Sequence, residues 1–237
     1  EDNSEGEVSY QFIGEIYLVC SILFLSIERK PIIRYLFSFA SLGLLFANGA
    51  RSEFVAFICI LPIIEILRNR SLIKVFIRFF VLLLVIVVIT LLLGDLVPME
   101  GSRVLDLVEN TSDSSSARAR KQLMIDGFSV IADNPFWGSF SGYRPGNYIH
   151  NVFSIWFDLG VFGLLFYISL FSWPVFIVFF NSKNRQALID ERVLISSLIV
   201  VSLILLIFAK TFYYLTAPAT LGYFANYLSI REKSNQL

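Results

Sequence analysis

The sequence is poor in the side chains that bind metals or form disulfides. It has one histidine, His150, and two cysteines, Cys20 and Cys59. Both cysteines fall within apolar runs, which predicts buried, unreactive thiols rather than a disulfide or a metal site. With a single histidine and no cysteine pair, the sequence contains no metal-ligand cluster, and we predict no cofactor. It also lacks a Walker phosphate loop and a dinucleotide-binding glycine pattern.

Charged residues are scarce as well. They make up 16% of the 237 residues, against about 25% in soluble domains, whereas 56% are hydrophobic and the mean hydropathy is +0.71. This profile is typical of a protein that crosses a membrane several times. The net charge is zero, so we expect no overall electrostatic attraction to nucleic acid.

Apolar segments that suit membrane helices recur along the chain. We predict an all-α polytopic membrane protein with about seven transmembrane helices, and a kink at Pro174 in the fifth. The chain starts without Met or a signal peptide, so we expect residues 1–237 to be a single transmembrane domain from the C-terminal part of a longer protein. The predicted segments are 11–27, 35–49, 52–67, 79–96, 151–180, 193–209 and 212–229.

Lysine and arginine are distributed unevenly among the predicted loops. If the acidic N-terminus lies outside, 12 of the 19 basic residues fall in cytoplasmic loops and the C-terminal tail, as the positive-inside rule requires. Residues 97–149 then form one large extracytoplasmic loop. The outer side still keeps an unusual set of basic residues: Arg51, Arg103, Arg118, Arg120, Lys121, Arg144 and Lys210.

The second half of this loop has a helical pattern. Apolar residues at Leu123, Met124, Phe128, Val130 and Ile131 predict an amphipathic helix of about four turns against the membrane surface. It should end at "ADNP", because the residue before a proline disfavours helix. The preceding "ENTSDSSSARAR" predicts a flexible segment, and the following "FWGSFSGYRPGNY" predicts turns and close backbone approach.

Arginines on the outer side are candidates for anion binding. Arg51 stands between two apolar segments, where it either snorkels to the interface, paired with Glu53, or binds an anion in an outward-facing cavity. Arg118 and Arg120 open the amphipathic helix although the helix dipole disfavours cations there, so solvent, lipid headgroups or a bound phosphate group must offset this cost. Arg144 lies in a loop, where an arginine is more often solvated than functional.

His150 lies where the loop meets the next apolar segment. Imidazole, with an ordinary pKa of about 6.5, can accept and return a proton at neutral pH. From the residues alone, an interfacial histidine followed by Asn151 as a helix N-cap is the favoured interpretation. About two turns further on, Asp158 should face a polar cavity or pair with His150 or an arginine. Gly160 and Gly163 indicate a close helix contact.

The order of these features resembles the signature of the O-antigen ligase and O-antigen polymerase family. The resemblance runs over "RKQLMIDGFSVIADNPFWGSFSGY" and "GNYIHNVFSIWFDLGVFG", and "NGARSEFVAF" resembles the family's upstream arginine element. Met124 and Asp158 depart from the family pattern, in which an aromatic residue and glutamate are common at these positions. Family members have more membrane helices than the seven predicted here, which also suggests that an N-terminal part is missing.

The resemblance implies a membrane glycosyltransferase of the bacterial inner membrane with an extracytoplasmic active face. Its donor would be a polyprenyl diphosphate-linked glycan, and its acceptor a sugar hydroxyl of a glycan or lipid. Membrane lipids would surround it, and no nucleic acid would be bound. The reaction would need no metal and would invert the anomeric centre. A polymerase is favoured over a ligase, although the two share these motifs.

The resemblance also carries roles to individual residues. His150 corresponds to the family's motif histidine, and Arg51 and Arg120 correspond to its arginines. Arg118 lies close to Arg120 along the helix and could substitute for it, whereas Arg144 has no firm equivalent. The supporting residues are Asn151 and Asp158.

Two other classes of function remain open. A transporter or flippase for lipid-linked oligosaccharides would also use cationic residues, but along a path across the bilayer. Here the basic residues collect on one face, which favours the enzyme. A non-catalytic membrane scaffold would keep Arg51, Arg120 and His150 far apart.

Overall fold

The computed structural model of the chain describes residues 10–69, 115–142, 149, 151–180 and 189–236, and among these there are helices and no strands. The chain divides into two compact units, Glu1–Glu109 and Asn110–Leu237. The all-α class predicted from the sequence is confirmed for the described residues. The helices are α1 Tyr10–Ile27, α2 Pro31–Ala47, α3 Arg51–Asn69, α4 Ser115–Asp133, α5 Phe153–Val175 with a π-helical turn Phe176–Phe180, α6 Ile189–Phe208 and α7 Thr216–Gln236.

The first unit packs α1, α2 and α3 around residues at helical spacing. In α1, Leu18, Ile22 and Leu25 are at most 1% exposed and lie on one face. In α3, Phe57 and Ile60 are fully buried. Large apolar side chains also cover outward faces of these helices, as expected of helices surrounded by lipid.

Cys20 and Cys59 lie in α1 and α3 and are exposed at the surface of the first unit. The prediction of buried thiols is therefore wrong. An apolar run shows that a segment avoids water, but it does not distinguish the helix face that packs against protein from the face that points outward.

A buried ion pair joins α2 and α3. The Arg34 Nε and Nη2 donate to the two carboxylate oxygens of Glu65 at 2.8 and 3.0 Å, and both residues are buried. The Nη1 of Arg34 donates to the backbone carbonyls of Glu28 and Arg29, at 3.3 and 3.0 Å, just beyond the end of α1. The Tyr35 hydroxyl donates to Glu65 at 3.1 Å. One guanidinium thus links α2, α3 and the connection between α1 and α2, a contact that no local sequence pattern predicted.

Removing one partner of this pair should destabilise the first unit. Arg34→Met leaves the Glu65 carboxylate buried without its two-pronged donor, and we expect a loss of about 3–5 kcal/mol. The double variant Arg34→Met/Glu65→Leu buries neither charge alone and should recover most of this loss. Thermal unfolding of the purified proteins in detergent measures both effects. Equal losses in the single and double variants would contradict this account of the pair.

In the second unit, α6 is the most enclosed of the membrane-length helices. In the apolar 18-residue stretch of α6, 61% is buried, against 22% in that of α5. Helix α5 therefore presents most of its apolar side chains outward. Hydroxyl groups hold α6 to α7: Ser202 Oγ lies 2.7 Å from Thr220 Oγ1, which donates to the Leu198 carbonyl at 3.2 Å. Tyr214, just before α7, donates to the Ser202 carbonyl. Small hydroxyl side chains of this kind allow two membrane helices to approach closely.

Three of the described helices are long and apolar enough to cross a membrane: α1, α5 with its π-helical extension, and α6. They correspond to the predicted segments 11–27, 151–180 and 193–209. Helix α2 is apolar but shorter, and α3 and α7 are not among the helices that are both long and apolar enough. The predicted segment 79–96 lies outside the described residues.

The amphipathic helix predicted in the large loop is present as α4. It ends at Asp133, directly before the Asn-Pro step, as the proline predicts. It begins at Ser115, so the end of the Ser-rich segment predicted to be flexible is helical, and Arg118 lies in the first turn. Residues 97–114 lie outside the described part of the chain.

Candidate functional site

Helix α5 is interrupted at Gly160. This residue has φ 67° and ψ −173°, a backbone conformation that is essentially restricted to glycine. The break separates a short N-terminal half of α5 from a longer C-terminal half. The sequence did not predict this break at Gly160, and the residues after Pro174, where it predicted a kink, form the π-helical turn.

The turn that follows α4 fills this break. We call residues 134–139 the wedge turn. In an unbroken helix the Val161 N–H would donate to the Phe157 carbonyl. Here the Val161 N–H donates to the carbonyl of Pro135 at 3.0 Å, and the Phe157 carbonyl accepts from the N–H of Ser139 at 2.6 Å. The wedge turn therefore supplies a partner to each of the two groups that the break separates, which a helix in lipid requires.

Glycines allow the wedge turn to approach so closely. A Cβ on Gly160 would overlap the carbonyl of Phe136, and a Cβ on Gly138 would lie 2.5 Å from the Gly160 nitrogen. The close backbone approach predicted for the Gly-rich stretch is thus confirmed. The contact of Gly160 is with the wedge turn rather than with another helix, and Gly163 faces the side chain of Leu159 in its own helix.

Aromatic side chains fasten the wedge turn to both halves of α5. The indole N–H of Trp156, in the N-terminal half, donates to the carbonyl of Pro135 at 2.9 Å. The rings of Phe136 and Trp137 pack on Phe162, in the C-terminal half, with centroid separations of 6.3 and 5.6 Å. The wedge turn therefore packs into the break and contacts α5 on both sides of it.

Asp158 adds a side-chain contact to this arrangement. It lies just before the break, is buried, and its carboxylate accepts a hydrogen bond from the backbone N–H of Ser141. Ser141 has a φ of 59°, which is uncommon for a residue other than glycine. Asp158 thus ties down the chain immediately after the wedge turn. The sequence predicted a polar partner for this carboxylate but not a backbone amide of the loop.

Substitutions at Asp158 separate its hydrogen bond from its charge. Asp158→Asn keeps an acceptor oxygen and should remain close to the wild-type stability. Asp158→Leu leaves the Ser141 N–H without this acceptor, and we expect it to cost about 1–3 kcal/mol. Thermal unfolding of the two variants, side by side, measures the difference. If the asparagine variant were as unstable as the leucine variant, the charge rather than the hydrogen bond would be the stabilising feature.

The residues on either side of position 150 are described, and both are held in place. Ile149 is 2% exposed and packs with Ile131 of α4 and Phe157 of α5. The Oδ1 of Asn151 accepts a hydrogen bond from the N–H of Phe153, the first residue of α5, at 3.0 Å. The N-cap of α5 is Val152, which makes no side-chain capping hydrogen bond, so Asn151 is not the N-cap that the sequence predicted, although its side chain does accept from the first N–H of the helix.

Arg51 is the first residue of α3 and belongs to the first unit. Its side chain is half-buried. In the same turn Glu53 is fully buried and accepts a hydrogen bond from the hydroxyl of Ser52 at 2.9 Å. The helix dipole favours a carboxylate in the first turn, which offsets part of the cost of burying it. Helix α1 packs tightly here, since a Cβ on Gly14 would lie 2.7 Å from the Cβ of Ala50.

The structure describes only some of the residues that were predicted to bind the diphosphate or to act in catalysis. Arg118 is exposed in the first turn of α4. Arg120 lies in the following turn, and its side chain is not among the described ones. His150 and Arg144 lie outside the described residues. The grouping of Arg51 with Arg120 and His150 in one site stays a prediction.

A comparison with protein families identifies the chain. The O-antigen ligase family model matches residues 36–168, which is more than half of the 237 residues. The chain belongs to the O-antigen ligase family. The matched region includes Arg51, α4, the wedge turn and the break at Gly160. No curated protein and no solved structure matches the chain.

The family match and the three membrane-length helices indicate a bacterial membrane protein. Members of the family are glycosyltransferase-like O-antigen ligases and polymerases. Sequence reasoning reached the family but missed the wedge-turn contacts. A signal was present: Gly127 interrupts the amphipathic pattern and Gly160 interrupts an apolar run, and a glycine inside a helix costs about 1 kcal/mol relative to alanine. Both positions are close contacts with another segment.

Proposed function

We propose that this O-antigen ligase family protein transfers a polyprenyl diphosphate-linked glycan to a sugar hydroxyl on the outer face of the bacterial inner membrane. The observation that carries the proposal is the family match over residues 36–168. That stretch contains the Arg51 element, the amphipathic helix and the His150 segment in the order typical of the family.

The proposed reaction is a single displacement. The bond between the anomeric carbon and the diphosphate oxygen breaks while a bond to the acceptor oxygen forms, so the anomeric configuration inverts. His150 takes the proton of the acceptor hydroxyl as a general base. Arg51 and Arg120 stabilise the negative charge that develops on the polyprenyl diphosphate leaving group, with Arg118 and Arg144 as further ligands. The scheme requires no metal ion, because guanidinium groups supply the positive charge.

Asn151 and Asp158 have supporting roles in this proposal. Asn151, directly after the histidine, accepts a hydrogen bond from the first N–H of α5, and Asp158 holds the backbone of Ser141. Neither needs to touch the substrate. They limit the positions available to the chain before and after the break in α5. This matters for catalysis, because a displacement of a reacting group by about 1 Å can lower the rate about a hundredfold.

Of the two reactions that share these motifs, we favour the polymerase, which joins lipid-linked oligosaccharide repeats. In that reaction donor and acceptor are both lipid-linked glycans. In the ligase reaction the acceptor is a separate lipid or protein. The two differ in the acceptor and not in the leaving group, so the arginines and the histidine keep the same roles in either.

Reconstitution tests the function directly. Purified protein in liposomes is supplied with purified lipid-linked repeat units, with or without a lipid acceptor, and the products are separated by size. A polymerase produces longer lipid-linked glycans from the repeats alone, and a ligase forms product only when the acceptor is added. Liposomes without protein are the control. Movement of the repeat units between leaflets, with neither lengthening nor transfer, would overturn the proposal and indicate a flippase.

A further inference from the structure

The middle of α4 contains a glycine, Gly127, although the helical backbone there does not require one. Gly127 lies within a regular helix and its φ is not positive. Glycine is the poorest helix former after proline, so a glycine here works against the helix. Space is what requires it: a Cβ on Gly127 would lie 2.8 Å from the Cγ1 of Ile149 and would also overlap its Cδ1.

Ile149 fills the hollow that this glycine leaves. Gly127 and Ile131 lie four residues apart on one face of α4 and are both buried, and Ile149 packs against them and against Phe157. We call Gly127 and Ile131 the seat of Ile149. Because side chains in protein interiors are close-packed, the isoleucine cannot shift along the helix without opening a void or a clash.

We infer that the seat is a positioning device for the residue that follows Ile149, so that Gly127 and Ile149 are positioning residues for His150. The inference rests on the proposed function, in which His150 is the base. Ile149 is held by the seat and Asn151 by its hydrogen bond to Phe153. Consecutive Cα atoms are about 3.8 Å apart, so two held neighbours restrict where the residue between them can lie.

A double-mutant cycle tests this inference. Gly127→Ala should push Ile149 out of the seat and lower kcat for glycan transfer by about tenfold to a hundredfold, with little change in the KM for the donor. Ile149→Val removes Cδ1, the nearer of the two atoms that the added Cβ would meet, and should by itself have a small effect. The double variant should recover a large part of the loss, because the closer of the two overlaps is gone and only the contact with Cγ1 remains.

A matched glycine and an independent readout complete the test. Gly43→Ala, in α2, adds a methyl group to open space and should leave activity unchanged. Hydrogen exchange of the peptide covering residues 149–155 should be faster in Gly127→Ala and slow again towards the wild-type rate in the double variant. This readout does not depend on turnover and would not move if Gly127 affected only the stability of α4.

The outcomes separate the two proposals. An inactive wild-type protein, or a fully active His150→Ala protein, would contradict the proposed function. An active wild-type protein whose Gly127→Ala variant keeps normal kcat and normal exchange would overturn the seat alone. Additive losses in the double variant would also overturn it, since they would show that the two residues act independently.

Discussion

Replacement of His150 by alanine is expected to abolish most glycan transfer while membrane insertion stays intact. His150 is the only histidine of the chain. In the proposed reaction it takes the proton of the acceptor hydroxyl, and general-base catalysis contributes about a hundredfold to ten-thousandfold in rate. Alanine cannot accept this proton, so kcat should fall by a factor of that order. Donor binding should change little, because the arginines that hold the diphosphate remain.

Turnover of lipid-linked repeats in liposomes and equilibrium binding of the donor measure the two parts of this prediction separately. The matched control is Gln122→Ala on the exposed face of α4, which should keep wild-type turnover. Gel filtration and thermal unfolding establish that both variants are folded. A His150→Ala protein that retained a substantial part of the wild-type rate would exclude the imidazole as the base, and it is the result expected of a flippase.

Gly160→Ala is expected to detach the wedge turn from α5. The added methyl group would overlap the carbonyl of Phe136, and alanine at φ 67° and ψ −173° costs about 1–3 kcal/mol. Alanine also favours a continuous helix, in which the Val161 N–H returns to the Phe157 carbonyl. The Ser139 N–H then loses its acceptor. We expect a lower melting temperature and a loss of glycan transfer at least as large as that of Gly127→Ala.

Hydrogen exchange measured by mass spectrometry reports the position of the wedge turn, since the Ser139 amide has the Phe157 carbonyl as its acceptor only while the turn is docked. Gly222→Ala, in α7, is the control because a Cβ there meets open space. It should leave exchange and activity unchanged. Unaltered exchange at the Ser139 amide in Gly160→Ala would show that the break and the wedge turn do not depend on this glycine.

Several features were predictable because they depend on residues that are neighbours in the sequence. The apolar runs of α1, α5 and α6 were located from hydropathy. The end of α4 at Asp133 followed from the proline two residues later. A hydrogen bond between the Asn151 side chain and the start of α5 followed from its place before an apolar run, although the N-cap itself is Val152. The family followed from the order of several short motifs, which no single motif would have identified.

The features that were missed all join residues far apart in the sequence. Arg34 and Glu65 each look like ordinary charges at the end of an apolar helix, and only the packing of α2 on α3 makes them a buried pair. Hydropathy likewise predicted buried cysteines, although Cys20 and Cys59 point outward. A helix that is apolar on several faces carries no local mark of which face meets protein.

The sequence by itself determined the helical class, the membrane character, the helix α4 and the O-antigen ligase family, because these follow from composition, periodicity and ordered motifs. Only the tertiary structure decided that α5 breaks at Gly160, that the wedge turn fills the break and that Ile149 sits on Gly127. The physical reason is that a glycine in a helix has an energetic cost that its own neighbours do not explain. The compensating contact comes from a backbone or side chain that folding brings from a distant part of the chain.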